Sequence, residues 1–337
     1  MITEYPFANH KAPTMDWILF LRCYYESFRA QRKAKAKKTL DMSPVNGQST
    51  LSEESVPLVF VTHNDMQILG EFLNYYRSLG VTRFICVDDQ SNDGSRQYLS
   101  EQTDVDLWVS PVRYSEAERG RRWREQLFAL YGTDRWYVNV DSDEFLVYDR
   151  CQQHRLPQLF RELGRRGDKR MAAPMLDMYG NDYGSEAGNG DGLFSQSPFF
   201  DASGYSLRHG KRGTRLYGGP RRRKFGENNE LLKYPVIYWD KSCSFDQSPH
   251  RPLPYQRNTP TSWGALLHFK FPPNYKEKIA YAAKQGQHYN GASHYKALQA
   301  KIQSDGELAL YDPKVSLGYE GPEQLVKLGF ITALTYE

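Results

Sequence analysis

Asp141, Ser142, Asp143 and Glu144 follow directly on an apolar run, Trp136 to Val140, that reads as a buried strand ending in a carboxylate cluster. Side chains alternate along an extended backbone, so Asp141 and Asp143 would share one side and could face the same hard cation. Magnesium or manganese takes a few carboxylate oxygens and completes its shell with water and phosphate, which makes a diphosphate the natural partner of such a site. An acidic surface turn has the same local sequence. What separates the two readings is the company the cluster keeps.

Two other strand ends carry similar chemistry. Leu58 to Thr62 reads as a first strand and delivers Thr62-His63-Asn64-Asp65, while Phe84 to Val87 reads as a second and runs into Asp88-Asp89-Gln90-Ser91-Asn92-Asp93-Gly94-Ser95. Between them Ile68, Leu69, Phe72, Leu73, Tyr76 and Leu79 mark one face of a helix that Gly80 ends. Leu107 to Val109 reads as a third strand, Glu116 to Tyr131 as a helix, and Trp136 to Val140 as the fourth strand. Alternating strands and helices predict an α/β fold with a mostly parallel sheet flanked by helices, and such sheets bind ligands at the carboxyl ends of their strands. All three acidic motifs fall on that edge. Asp88 and Asp89 are placed to accept hydrogen bonds from a ribose or a base N–H. Their segment also opens like a calcium-binding loop, Asp89-x-Ser91-x-Asp93-Gly94, but the twelfth position is Ser100 and a strand rather than a helix precedes it.

The flanking regions set the context. Residues 1–55 read as a basic amphipathic segment and a linker, 56–205 as a nucleotide-binding half, and 206–337 as an acceptor-side half of the same domain. Within 14–38, Trp17, Phe20, Leu21, Tyr24 and Phe28 recur at helical spacing, and Arg29, Arg32, Lys33, Lys35, Lys37 and Lys38 follow. Such a helix suits peripheral contact with an anionic membrane face, or packs on the main domain with a solvated basic tail. A Ser-, Pro-, Gly- and Glu-containing linker then runs from about Asp41 to Val56. Beyond the fourth strand, Met171 to Leu176, Val236 to Trp239 and Leu266 to Phe271 read as strands, and Tyr275 to Lys284 and Ser293 to Ile302 as helices. Gly180 to Gly192 is a glycine-rich loop suited to a substrate lid. The run Arg221-Arg222-Arg223-Lys224, with Arg212 and Arg215 nearby, offers cations to a diphosphate, Arg223 among them, or forms a solvated basic face.

A net charge of +4 over 337 residues supplies little of the field that nucleic acid demands, so no nucleic-acid partner is expected. Cys23, Cys86, Cys151 and Cys243 lack a C-x-x-C spacing, which argues against both a zinc site and a disulfide framework. With no bilayer-length apolar stretch and no signal-like N-terminus, the expectation is a cytoplasmic protein associated with the inner face of the membrane.

The order of strand-end motifs resembles the GT-A glycosyltransferases of family 2, in particular a bacterial branch whose metal motif reads D-x-D-E-F, here Asp141 to Phe145. The resemblance continues through Lys233-Tyr234-Pro235-Val236-Ile237, Ser248-Pro249-His250-Arg251-Pro252 and Leu266-Leu267-His268-Phe269-Lys270-Phe271, and through Asp312-Pro313-x-Val315-Ser316 and Gln324-Leu325-Val326-x-Leu328-Gly329. It covers Pro57 to the C-terminus. It implies a GT-A, Rossmann-like fold and a metal-dependent, inverting transfer of sugar from a nucleoside-diphosphate donor to a glycan or lipid-linked acceptor in surface polysaccharide biosynthesis. By the same resemblance Thr62, His63, Asn64, Asp65, Asp88 and Asp89 hold the base and ribose. Asp141 lies near ribose or metal, Asp143 is a direct ligand, and His268 completes the shell of Mn2+ or Mg2+. His63-Asn64-Asp65 departs from the family's basic-Asn-Glu pattern. An inverting transfer also needs a base; the family's Glu-Asp pair has no match, which leaves Asp177, Asp182 and Glu144 as candidates. The rivals are a nucleotidyltransferase on the same sheet edge and a catalytically silent glycan- or nucleotide-binding module.

Overall fold

The strand Pro57–Thr62 is buried along its whole length, and its period of two feeds two layers at once. Leu58 and Phe60 pack with Ile68, Leu69, Phe72, Leu73 and Tyr76 of the helix Met66–Ser78. Val59 and Val61 pack on the other side with Trp123, Leu127, Phe128 and Tyr131 of the helix Arg121–Tyr131. This α/β arrangement holds in the computed structural model, which describes residues 2–7, 12, 14–34, 39–180, 192–271, 275–286, 289–306 and 308–336. Asp182, most of the glycine-rich loop, and Lys35, Lys37 and Lys38 lie outside the described residues.

Among the described residues nine strands form the main sheet, in the spatial order Ser43–Pro44, Val105–Val109, Arg83–Asp88, Pro57–Thr62, Arg135–Asn139, Leu232–Trp239, Arg170–Asp177, Ala265–His268 and Glu144–Val147. Six run one way; Ser43–Pro44, Leu232–Trp239 and Glu144–Val147 run against them. The consequence is geometric. The carboxyl ends of the six strands meet the amino ends of the opposed three, so Thr62, Asp88, Asn139, Asp177 and His268 share an edge with Lys233 and Glu144. A smaller sheet joins Ile2–Tyr5 to Tyr205–Gly210 and Gly213–Tyr217.

Several elements differ from their sequence reading. The helix expected from Glu116 starts at Arg121, because Glu118, Arg119 and Gly120 adopt left-handed φ values of 54°, 62° and 70° and wind the chain into a turn first. The Asp41–Val56 segment is docked rather than a free linker. Ser43 and Pro44 pair with Val109 and Trp108, Asn46 bridges the Leu107 N–H and the Val105 carbonyl, and Ser49 bonds Asp106. Leu232–Trp239 begins four residues before the expected Val236, and its register slips between Lys233 and Val236, where Pro235 has no N–H to donate to the ladder. Glu144–Val147 is a strand that the four-residue run did not reveal, while Ala265–His268 stops short of Phe271.

Candidate active site

The carboxylate cluster is a closed turn, which corrects the expectation of extended backbone. The Glu144 N–H donates to the Asp141 carbonyl at 3.1 Å, and the Asp141 N–H donates back to Glu144 Oε2 at 3.0 Å. Alternation therefore does not place Asp141 and Asp143 side by side. Asp141 accepts Lys233 Nζ at 2.6 Å and Arg124 Nη2 at 2.5 Å, and keeps 36% of its side chain exposed. Lys233 also donates to Glu144 Oε1 at 2.5 Å, so one ammonium sits between two carboxylates. Burial pushes the Asp141 carboxyl upward, but Lys233 and Arg124 outweigh it and hold it well below the usual range. Burial, only partly offset by Lys233, raises Glu144. Burial also works against the Lys233 ammonium, yet Asp141 and Glu144 keep it charged.

The other end of the turn faces a histidine. His268 Nε2 lies 3.5 Å from Asp143 Oδ2, and His268 Nδ1 lies 2.6 Å from Asp177 Oδ1. Asp177 in turn accepts Arg221 Nε at 2.8 Å and Nη2 at 3.1 Å, giving a buried relay Arg221–Asp177–His268–Asp143. Burial opposes the imidazolium, but Asp143 and Asp177 on either side lift His268 to about 9. Burial would raise Asp143, yet the facing His268 holds it far below the usual carboxylate range; Arg221 and His268 do the same for Asp177. Asp177 is 1% exposed with both oxygens engaged, so it orients His268 instead of reaching an acceptor hydroxyl. Glu144, also 1% exposed and held by Lys233, closes the turn. These commitments withdraw both as bases.

Asp143, Glu144 and His268 each bring one ligand atom within 4.8 Å of the others. Carboxylate oxygens with a neutral imidazole suit Mn2+ better than the all-oxygen preference of Mg2+, and an Nδ1–H donated to Asp177 would leave the Nε2 lone pair facing the ion. Because Glu144 already serves Lys233, Asp143 and His268 are the less committed pair. Asp141 is not in this group.

A cleft of about 680 Å³ runs along the sheet edge past these residues. Asp65, at the end of the first strand, accepts Thr62 Oγ1 at 3.0 Å and Ser142 Oγ at 2.6 Å through one oxygen, stitching that strand to the acidic turn. Its other oxygen accepts Lys278 Nζ at 3.1 Å. Burial works against that ammonium, but Asp65 and Asp143 keep it protonated. Asp89 lines the cleft, and burial, only partly offset by Arg113 at 3.2 Å, pushes it up to about 6. Asp88 does not line it: fully buried, it accepts Arg96 at 2.6 Å and the Ser91 N–H, which shapes the turn. His63 Nδ1 lies 2.5 Å from the Asp89 carbonyl and its Nε2 3.2 Å from the Tyr281 hydroxyl, which Asn64 also meets at 3.3 Å. Lys278 and Tyr281 come from the helix Tyr275–Gln285, which forms the opposite wall with Lys270 and Tyr295.

The expected residues thus divide. Thr62, His63, Asn64, Asp65, Asp89, Asp141, Asp143 and His268 line one cleft, and Glu144 and Asp177 stand just behind it. Arg223 instead pairs with Asp201 at 2.8 Å and donates to the Leu310 carbonyl, away from the cleft. Lys233, Arg124, Lys278 and Tyr281 join the site without a local motif that marks them. A usable signal was a cation among apolar positions: Arg124 falls on the same helical face as Leu127, Phe128 and Tyr131.

No protein-family model matches this chain, and no curated protein does. Among solved structures it is similar to the mannosyltransferase PcManGT from Pyrobaculum calidifontis in complex with GDP-Man and Mn2+, at 18% identity over 48% of this chain and 44% of that one, with a TM-score of 0.26. It is also similar to 4-diphosphocytidyl-2C-methyl-D-erythritol synthase (14% identity, 41% of this chain and 68% of that one, TM-score 0.25) and to the inositol-1-phosphate CTP transferase from T. maritima (10%, 82% and 95%, TM-score 0.26). The chain spans under half the length of the mannosyltransferase. Likenesses this weak carry no weight for function, which has to be read from the residues of the cleft.

Proposed function

We propose that this chain is a metal-dependent glycosyltransferase that moves a sugar, with inversion, from a nucleoside-diphosphate donor to a glycan or lipid-linked acceptor in surface polysaccharide assembly on the cytoplasmic side of the membrane. One observation carries the reading. Asp143 and His268 face each other in a cleft that the strand-end residues His63, Asn64, Asp65 and Asp89 also line. In this assignment Asp143 and His268 hold Mn2+ or Mg2+, which when bound would act as a Lewis acid toward the negative charge on the leaving diphosphate. Asp89 and Asn64 offer hydrogen bonds to base and ribose. Lys270 and Lys278 supply fixed positive charge along the cleft. Asp177 and Arg221 hold the imidazole in place, while Lys233 and Arg124 hold the turn that presents Asp143. As the acceptor oxygen attacks the anomeric carbon and the bond to the diphosphate breaks, a base must take the hydroxyl proton; Asp182 is the candidate that stands.

The same cleft supports nucleotidyl transfer, a reading favoured by the two lysines, which suit the extra charge of a triphosphate. Products separate the two, since nucleotidyl transfer releases pyrophosphate and glycosyl transfer a nucleoside diphosphate. The first test is a thermal-shift panel of nucleoside di- and triphosphates with and without Mn2+. The expected outcome is stabilisation by one diphosphate that depends on Mn2+ and disappears in Asp143→Ala. If no nucleotide shifts the protein and Asp143→Ala changes nothing, the proposal fails.

A further inference from the structure

The helix Trp17–Ala34 is anchored by one face only. Cys23 packs with Leu253 and Tyr255, Ser27 Oγ accepts the Tyr255 N–H at 2.7 Å, and Gln31 donates to the Ser242 carbonyl at 2.7 Å. The face turned away from the body is apolar as well. Trp17, Leu21, Tyr24 and Phe28 fall at i, i+4, i+7 and i+11 with side chains 70%, 48%, 57% and 53% exposed, and Ile18 and Tyr25 extend the stripe. Of the twelve large exposed hydrophobics among the described residues, seven lie on this helix, so the patch is a concentration and not ordinary surface scatter.

The charges around it say what it fits. Arg22, Arg29 and Arg32 run along one flank of the stripe, with the Arg29 guanidinium 5.8 Å from the Tyr25 ring and that of Arg32 5.7 Å from Phe28. A groove of about 660 Å³ between the helix and the hairpin of Tyr205–Gly210 and Gly213–Tyr217 is lined by Arg22, Tyr25, His209 and Lys211. It continues, through His209 and Lys211, into a second groove lined by Arg208, Arg212 and Arg215. Of the two acids that line this groove, Glu26 is neutralised by Lys211 at 3.1 Å and by Arg29 at 3.5 Å, and Asp16 accepts the Leu19 N–H at 2.7 Å at the start of the helix. The sequence then continues with Lys33, Lys35, Lys37 and Lys38. Indole and phenol rings beside cations match the headgroup boundary of an anionic bilayer. A second copy of the chain would bring like charge against like charge. No described helix is long and apolar enough to cross a membrane, so the contact would lie in the membrane plane.

We propose that this helix and the adjoining basic hairpin form a docking face for an anionic lipid surface. The inference goes beyond the transfer chemistry and stands apart from it, because none of these residues lines the cleft. The test is co-sedimentation of the full chain with vesicles of phosphatidylcholine alone and of phosphatidylcholine mixed with phosphatidylglycerol. The expected result is partitioning onto the anionic vesicles only, weakened by salt. Arg22→Gln and Arg32→Gln should each lower it about fivefold. The double variant Trp17→Ser, Phe28→Ser should lower it more than either, with an unchanged melting temperature and unchanged nucleotide stabilisation. No partitioning onto either vesicle overturns the proposal, as does partitioning that the double variant leaves intact. A dimer by light scattering that the double variant converts to monomer, without vesicle binding, overturns it in favour of a second copy.

Discussion

Asp141 and Asp143 stand two residues apart in one turn, yet Asp141 meets two cations supplied by the protein, Lys233 at 2.6 Å and Arg124 at 2.5 Å, whereas Asp143 meets an imidazole at 3.5 Å. The Asp141 end is already balanced in charge. The Asp143 end is balanced only while His268 carries a proton, which a metal ion can replace. A D-x-D written in sequence therefore does not make two equivalent carboxylates: one is held by Lys233 and Arg124, and the other faces His268.

The largest effect should come from the balanced end. Lys233→Met leaves Glu144 buried without its cation and Asp141 with one fewer, and should cost about 3–5 kcal/mol by urea unfolding. Adding Glu144→Gln should restore part of that, and a loss well under 1 kcal/mol would remove Lys233 as the counter-ion of the turn. At the open end, Asp143→Ala should abolish the Mn2+-dependent thermal shift while leaving the metal-free protein folded. Asp177→Asn should weaken Mn2+ binding about 10- to 100-fold, because it loosens the ring it orients without removing a ligand. An affinity equal to that of the parent would mean that His268 is not held through Nδ1.

Protons give a finer test of the same contrast. His268 sits at about 9 without metal, so binding an ion there must displace a proton, and calorimetric Mn2+ affinity should climb by about tenfold per pH unit between pH 6 and 8. The fold moves the other way. A raised histidine contributes stability that is complete below its ordinary 6.5 and is lost as the pH rises through about 9, so metal-free stability should decline over that window. A flat affinity profile would remove His268 from the site. The smallest effect belongs to Asp89, raised from 3.8 to about 6: the stability it contributes is present below 3.8 and lost as pH rises through 6. Asp89→Asn should therefore melt slightly higher than the parent at pH 8 and show no such gain at pH 4.

What the sequence made legible was local. Apolar runs ending in acids located the strands and the edge they share, since burial on both faces leaves a near-continuous hydrophobic signature. Partners that come from far along the chain left little trace. Lys233 lies 92 residues from Asp141, and nothing near it announces that its strand runs against its neighbours. The turn that separates Asp141 from Asp143 is closed by a side-chain bond from Glu144, which a strand periodicity cannot register. The Asp41–Val56 segment has linker composition, but the strand Val105–Val109 would otherwise present open backbone groups, and Ser43 and Pro44 cover them. Asp177 was visible as a polar end to an apolar strand, but its use was not, because Arg221 and His268 reach it from elements 44 and 91 residues away.

The strand Leu232–Trp239 lies inside the sheet, between Arg135–Asn139 and Arg170–Asp177. It is also among the last of the sheet to be made: one hundred residues separate Asn139 from Trp239, about 5–20 s of synthesis. From Asp177 onward the nascent chain carries two strands with an unfilled slot between them and an acidic turn without its lysine. Its lysine strand's arrival closes both that hydrogen-bonded gap and the electrostatic one, and Ala265–His268 then fills the remaining slot between Arg170–Asp177 and Glu144–Val147, so a ribosome-stalled chain ending before residue 232 should be a chaperone client, and one ending well past residue 268 should not.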